Sequence, residues 1–144
     1  MDTAEVVIIG GGVIGASVAW RLAQLGCTHV VLLERDVSLS AGSTGRSVGG
    51  IRHGFSTATN VQLSLASSAH FRRFSDETGE PAHFVWNGYL FLLDNADDLR
   101  VFEREVAMQQ SLGVQGVRLL TPADIKALVP QINVDNLVAG TICA

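Results

Sequence analysis

The stretch Val6 to Gly15, VVIIGGGVIG, constrains this chain more than any other. Four β-branched residues, Val6 to Ile9, predict a buried strand that runs straight into a glycine turn. Gly10, Gly12 and Gly15 stand at the spacing G-x-G-x-x-G. An apolar, alanine-containing segment from Val13 to Leu25 predicts a helix that ends at Gly26, and His29 to Leu33 predicts a second strand finishing on Glu34. Glu34 lies about 20 positions past Gly15, the interval at which an acid accepts from a ribose hydroxyl. Strand, turn, helix, strand and acid in this order predict a dinucleotide-binding βαβ unit. Gly10 permits the tight turn, Gly12 lets the backbone approach a pyrophosphate, and Gly15 lets the helix pack on the sheet. Val13 and Ile14 open the helix, whose first N–H groups and dipole favour phosphate.

The rest of the composition excludes more than it assigns. The chain has 144 residues, 47% hydrophobic and 17% charged, enough for a globular core. Its net charge of −4 gives no basic footprint for nucleic acid, so none is expected as a partner. Cys27 and Cys143 form no C-x-x-C and no disulfide framework, which fits a reducing cytoplasm. The histidines, His29, His53, His70 and His83, lack metal-ligand spacing, so no metal site is expected. Asp2 and Glu5 stand where a targeting segment would be positive, and Val6 to Trp20 is too short and glycine-rich for a membrane span.

After Glu34 the chain turns to glycine and serine. Arg35 to Gly54 reads RDVSLSAGSTGRSVGGIRHG. A long polar loop inside a compact domain is usually functional, and the N–H and hydroxyl groups of Ser43, Thr44 and Ser47 suit phosphate or ring contacts. From Ser56 to Gly79 the pattern is helical, with Ser56 or Thr59 as cap and Val61, Leu65 and Ala69 on one face. His83 to Leu93 predicts a strand or hairpin with Asn87-Gly88 as turn or bulge, and Trp86 and Tyr89 are expected in the core or bordering a pocket. A helix follows from Asp94 to Gly113, capped by Asp94 or Asn95, with Leu99, Phe102 and Val106 facing inward. A short strand, Val117 to Leu120, leads to a helix opened by Thr121, Pro122 and Asp124 and stopped by Pro130. Leu137 to Ala144 predicts a last strand.

GGGVIGASVAWRLAQLG, VVLLERD and AGSTGRSVGGIRHGF together resemble the amino terminus of the D-amino-acid oxidase-like family of FAD-dependent oxidoreductases. Within it the chain is similar to sarcosine and dimethylglycine oxidases and dehydrogenases, glycine oxidases and dye-linked proline dehydrogenases. The resemblance implies an α/β fold: a Rossmann-like βαβ FAD-binding domain in residues 1–80, then the beginning of a second, mixed-sheet substrate domain in residues 81–144. By resemblance Gly10, Gly12 and Gly15 face the pyrophosphate of a non-covalent FAD, Glu34 the adenosine ribose and Arg35 the adenine. Ser43, Thr44 and Arg46 approach the pyrophosphate or ribityl chain, and Gly49 and Gly50 the flavin ring.

In sarcosine-type amine oxidases an arginine in an I-R-H context pairs with the substrate carboxylate, and Ile51-Arg52-His53 matches that context. A guanidinium fork suits that task, with a structural ion pair or a flavin contact as the alternatives. His53 is expected to be a packed or solvated histidine, and no catalytic base is assigned. Two departures matter. Gly45-Arg46 stands where dimethylglycine dehydrogenases carry Trp-His, so covalent flavin attachment is not expected there. Gly49 replaces a basic residue of sarcosine oxidases, which leaves an electron acceptor other than oxygen open.

The family has further strands after this point, so the chain is expected to be an incomplete, amino-terminal fold. Its partners are then the missing carboxy-terminal part, another subunit or a second copy. The function implied is oxidation of a C–N bond in a small amine or amino acid by hydride transfer to flavin. The alternatives are an NAD-dependent dehydrogenase domain, which Glu34 alone permits, and a truncated non-catalytic binding module.

Overall fold

The computed structural model describes residues 3–143. Asp2 and Ala144, to which expectations were attached, lie outside the described residues. The chain divides into two compact units, Met1–Gly50 and Ile51–Ala144.

The first unit is the expected βαβ. Strand β1 (Val6–Ile9) and strand β2 (Val30–Leu33) pair in parallel, from Val6 opposite Val30 to Ile9 opposite Leu33. Helix α1 (Val13–Gln24) joins them, rich in the helix formers alanine, leucine, arginine and glutamine, and Gly26 at φ 86° turns the chain back. β1 is not buried along its length. Ile8 is buried, but Val7 and Ile9 are exposed, as are Val31 and Leu33 beside them. Side chains alternate across a strand, and α1 covers the Ile8 face alone, whereas a parallel sheet usually needs cover on both faces.

The second unit carries helix α2 (Ala58–Thr78), strand β3 (Tyr89–Leu93), helix α3 (Ala96–Ser111), strand β4 (Arg118–Leu120), helix α4 (Pro122–Leu128) and strand β5 (Ala139–Cys143). Its strands are antiparallel in the order β3-β5-β4, so β5 is central although last in sequence. Val61, Val106, Val114, Val117 and Cys143 form its core, with Phe55, Leu65, Met108 and Leu112 packed against them. Asn95 caps α3 by accepting from the Asp98 N–H at 2.8 Å, and Thr121 and Asp124 form a reciprocal capping box on α4.

Three expectations are corrected here. α2 begins after Thr57, whose backbone is extended, and neither Ser56 nor Thr59 is its N-cap. Its inward face runs Val61, Leu65, Ser68, while Ala69 is exposed. Seven residues make almost two whole turns and eight overshoot, so Ser68 stands closer beneath Val61 than Ala69 does. The strand expected from His83 starts only at Tyr89. Before it, Phe84 stacks on Phe71 at 5.9 Å and meets the Trp86 ring edge-on at 4.7 Å, while the Arg72 guanidinium lies 4.2 Å from the Trp86 centroid. These aromatics found ring partners outside a sheet, and Trp86 remains half-exposed. Among the described residues no helix is long and apolar enough to cross a membrane.

Candidate functional site

In the first unit the glycine turn is built by close approach. Gly10 has φ 105°, a backbone conformation in which a side chain is strained, and its N–H donates to Leu33 O at 2.8 Å. A Cβ on Gly15 would fall 1.9 Å from Gly10 O, so α1 sits directly on the turn. A Cβ on Gly12 would fall 2.9 Å from Thr44 Oγ1. Gly12 is the N-cap of α1 and has no side chain to offer; Thr44 Oγ1 accepts from the Val13 N–H at 3.0 Å instead. Residues 35–50 form neither helix nor strand. They lie over the turn through Ser40 N–H to Gly11 O at 3.0 Å, and the bond from Gly45 N–H to Ser40 O at 2.9 Å folds the loop on itself.

Glu34 closes the site from the end of β2. Its Oε2 accepts from the Gly11 N–H at 2.7 Å and its Oε1 from the Asp36 N–H at 3.0 Å. These backbone donors, Asp36 first and Gly11 second, hold the carboxyl below the usual carboxylate range. Each oxygen keeps a further lone pair for a hydroxyl donor. Because the folded pKa is depressed, this anchor is intact at neutral pH and weakens only as pH falls through the lowered pKa. Glu34→Gln replaces one acceptor by an NH2 group that faces an N–H. The expected result is FAD affinity weaker by on the order of tenfold, read by flavin fluorescence titration; unchanged affinity would remove Glu34 from the site.

A groove of about 430 Å³ in this unit is lined by Gly10, Gly12, Glu34, Arg35, Ser43 and Thr44, together with Ile9, Ser40 and others. Val13 and Ile14 are exposed on the first turn of α1, and Gly15 is buried beneath the turn. Arg46, Ser47, Gly49 and Gly50 are exposed further along the loop and do not line the groove. Ser47 Oγ there accepts from the Gly49 N–H at 3.0 Å. Two contributors were missed by spacing. Gly11 stands at an unassigned position of the motif, yet a Cβ on it would fall 2.4 Å from Leu39 Cδ2 and 3.2 Å from Glu34 Oε2. Ser40 adopts φ 63° and carries no sequence signal for it.

Arg52 belongs to the second unit and is exposed. Its guanidinium lies 5.0 Å from the Phe55 centroid and 5.8 Å from that of Phe91, a cation–π arrangement. It lines a cavity of about 210 Å³ with Phe102, Glu105, Gln109 and Thr141 among the walls. Among the described residues no carboxylate lies within ion-pair distance of it. His53 is buried, with Nε2 2.6 Å from Ser68 Oγ. Burial first, and the Arg72 charge second, push its pKa below the ordinary histidine value, so the imidazole is neutral at neutral pH.

A glycine cradle that a Cβ would fill, a helix N-terminus and a fixed acid at the end of the second strand define a dinucleotide-binding protein, and these residues fit the ADP half of FAD. The chain belongs to the DAO family, "FAD dependent oxidoreductase", whose model matches residues 5–144. FAD is the cofactor of that family. The chain is 38% identical over 146 residues to FAD-dependent oxidoreductase domain-containing protein 1 of Bos taurus, covering 94% of this chain and 30% of that protein. It is 36% identical over 141 residues to the mitochondrial sarcosine dehydrogenase of Homo sapiens, covering 94% of this chain and 15% of that one. Among solved structures, L-proline dehydrogenase from P. horikoshii superposes with a TM-score of 0.88 at 32% identity, over 99% of this chain and 37% of that chain. The chain thus spans about a third or less of the length of these relatives.

Proposed function

We infer that this chain is the FAD-binding amino-terminal part of an oxidoreductase that oxidises a C–N bond of a small amine or amino acid. The observation that carries the reading is the Glu34 carboxylate, held by the Gly11 N–H across a glycine cradle in a family defined by FAD. In this reading residues 1–80 belong to the FAD-binding domain and residues 81–144 begin the substrate domain. FAD, when bound, supplies the acceptor for a hydride from the carbon beside the substrate nitrogen, and the imine so formed hydrolyses in water. The chain's own residues bind and orient. Gly10, Gly12 and Gly15, with the first turn at Val13 and Ile14, receive the pyrophosphate. Glu34 takes the ribose and Arg35 borders the adenine. Ser43, Thr44, Arg46 and Ser47 accompany the phosphates or ribityl chain, and Gly49 and Gly50 leave room for the ring.

Arg52, a guanidinium without an ion-pair partner among the described residues, receives the substrate carboxylate. The names sarcosine dehydrogenase and L-proline dehydrogenase support a substrate that carries both an amine and a carboxylate. Attachment of FAD is non-covalent in this reading, supported by Gly45-Arg46 at the place where dimethylglycine dehydrogenases carry Trp-His. A reducing compartment, the cytoplasm, is part of the same proposal and is supported by the free thiols of Cys27 and Cys143.

The test is a visible spectrum of the purified protein after incubation with FAD and desalting, followed by titration with amines. Retained flavin absorbance that bleaches with a carboxylated amine is the expected result. A colourless protein with no flavin fluorescence change would overturn the reading. The bare face of Val7, Ile9, Val31 and Leu33 favours a second reading, a non-catalytic module that associates through it. Amine-dependent dye reduction by the 144-residue chain alone would exclude that one.

A further inference from the structure

A buried polar side chain is costly unless it has a partner, so its partner shows what it holds. In the second unit His53, Ser68, Gln109 and Thr141 are buried. Two of these, Ser68 and Gln109, converge on the short stretch 53–55, in which His53 itself lies. His53 Nε2 lies 2.6 Å from Ser68 Oγ on α2. Gln109 Nε2 on α3 donates to Phe55 O at 3.0 Å. Residues 53–55 form neither helix nor strand, so no regular ladder fixes them. Side chains from two separate elements, α2 and α3, do so instead. Arg52 precedes this stretch directly, and its guanidinium lies over Phe55, a ring carried by the stretch itself.

An arginine side chain loses much rotamer freedom when a ligand orders it, and a pre-set position lowers that cost. We propose that His53 is a positioning residue for Arg52, clamping residues 53–55 to α2 through Ser68 so that the guanidinium is held over Phe55 and Phe91, ready for a substrate carboxylate. Gln109 is the second arm of the clamp, from α3. The proposal rests on the reading of Arg52 as the carboxylate anchor. The imidazole acts as a neutral hydrogen-bonding group and moves no proton in the reaction.

The test uses the FAD-loaded protein at its full natural length, with proline and pyrrolidine as a substrate pair that differs only in the carboxylate. In His53→Leu the KM for proline is expected to rise about tenfold, with kcat, flavin content and the KM for pyrrolidine within about twofold of the unmodified protein. His53→Gln, which keeps a hydrogen-bonding group within reach of Ser68, restores most of the loss. Amide hydrogen exchange at residues 53–55, measured without substrate, speeds up in His53→Leu and not in His53→Gln. Should His53→Leu fail to fold, Ser68→Ala removes the same hydrogen bond with a smaller change and is read in the same way. An equal rise in KM for both substrates, or a change confined to stability, overturns the positioning role. If Arg52→Ala alters the preference for proline and the His53 and Ser68 variants do not, the clamp alone has failed. If Arg52→Ala leaves that preference unchanged, the carboxylate reading itself has failed.

Discussion

Gly15→Ala is expected to abolish retention of FAD after desalting and to destabilise the first unit by about 3 kcal/mol, the upper end of overpacking effects. The added Cβ would lie 1.9 Å from Gly10 O, 3.1 Å from Gly10 C and 3.3 Å from Ile8 Cγ2. The nearest two are backbone atoms, so no flexible side chain can swing aside. Relief requires α1 to lift off β1 or the turn at Gly10 to open, and Gly10 is already committed to φ 105°. Either movement displaces the Val13 N–H, the Thr44 hydroxyl it meets and the Gly11 N–H that holds Glu34. A single methyl group thus disturbs every part of the nucleotide groove together. Flavin absorbance after gel filtration and a thermal melt read the two effects. A Gly15→Ala protein that keeps its flavin would show that helix-to-turn packing does not limit the site.

Arg52→Ala is expected to raise the KM for a carboxylated amine roughly 100-fold while leaving flavin content unchanged. Two charge-assisted hydrogen bonds from one guanidinium to a carboxylate are together worth about 3 kcal/mol, which corresponds to that factor. The surroundings support a large effect. Two phenylalanine rings flank the guanidinium, and Phe102 adds a further apolar wall to the cavity it lines. Removing the side chain leaves those rings in place, so the loss reports on charge and fork geometry rather than on collapse of the unit. Arg52→Lys restores the charge but not the planar fork and is expected to recover part of the affinity. Equal losses of flavin and of substrate affinity would make Arg52 a structural residue.

The parts of the molecule that were legible in the sequence are those set by short-range rules. The βαβ unit is written in β-branched strands, a helix period and glycine spacing, all within the first quarter of the chain. The caps at Asn95 and Thr121 follow from side chains that reach their own helix. What sequence could not carry is pairing across distance. Nothing about Thr44 announces that its hydroxyl meets the Val13 N–H, or about Gln109 that it crosses to Phe55 O. The spacing of four puts Ala69 on the inward face of α2, but the turn angle and the partner His53 place Ser68 there instead. Phe84 and Trp86 have strand-forming residue types, but an aromatic stack with Phe71 and Arg72 satisfies them off the sheet. Antiparallel pairing of β5 between β3 and β4 is likewise a matter of topology, which no local pattern encodes.

The order β3-β5-β4 also imposes a schedule on synthesis. The βαβ unit is complete in sequence by Leu33, and its two strands are joined by one local helix. β3 and β4, by contrast, hydrogen-bond to β5 and not to each other. Until residues 139–143 leave the ribosome, both present unpaired edges, with Phe91, Leu93 and Leu120 lacking the strand that covers them. A nascent chain therefore contains both partners of the β1–β2 pair well before β3 and β4 can find theirs. A translational pause ahead of Ala139 prolongs the interval in which chaperones, rather than β5, must shield the half-made sheet.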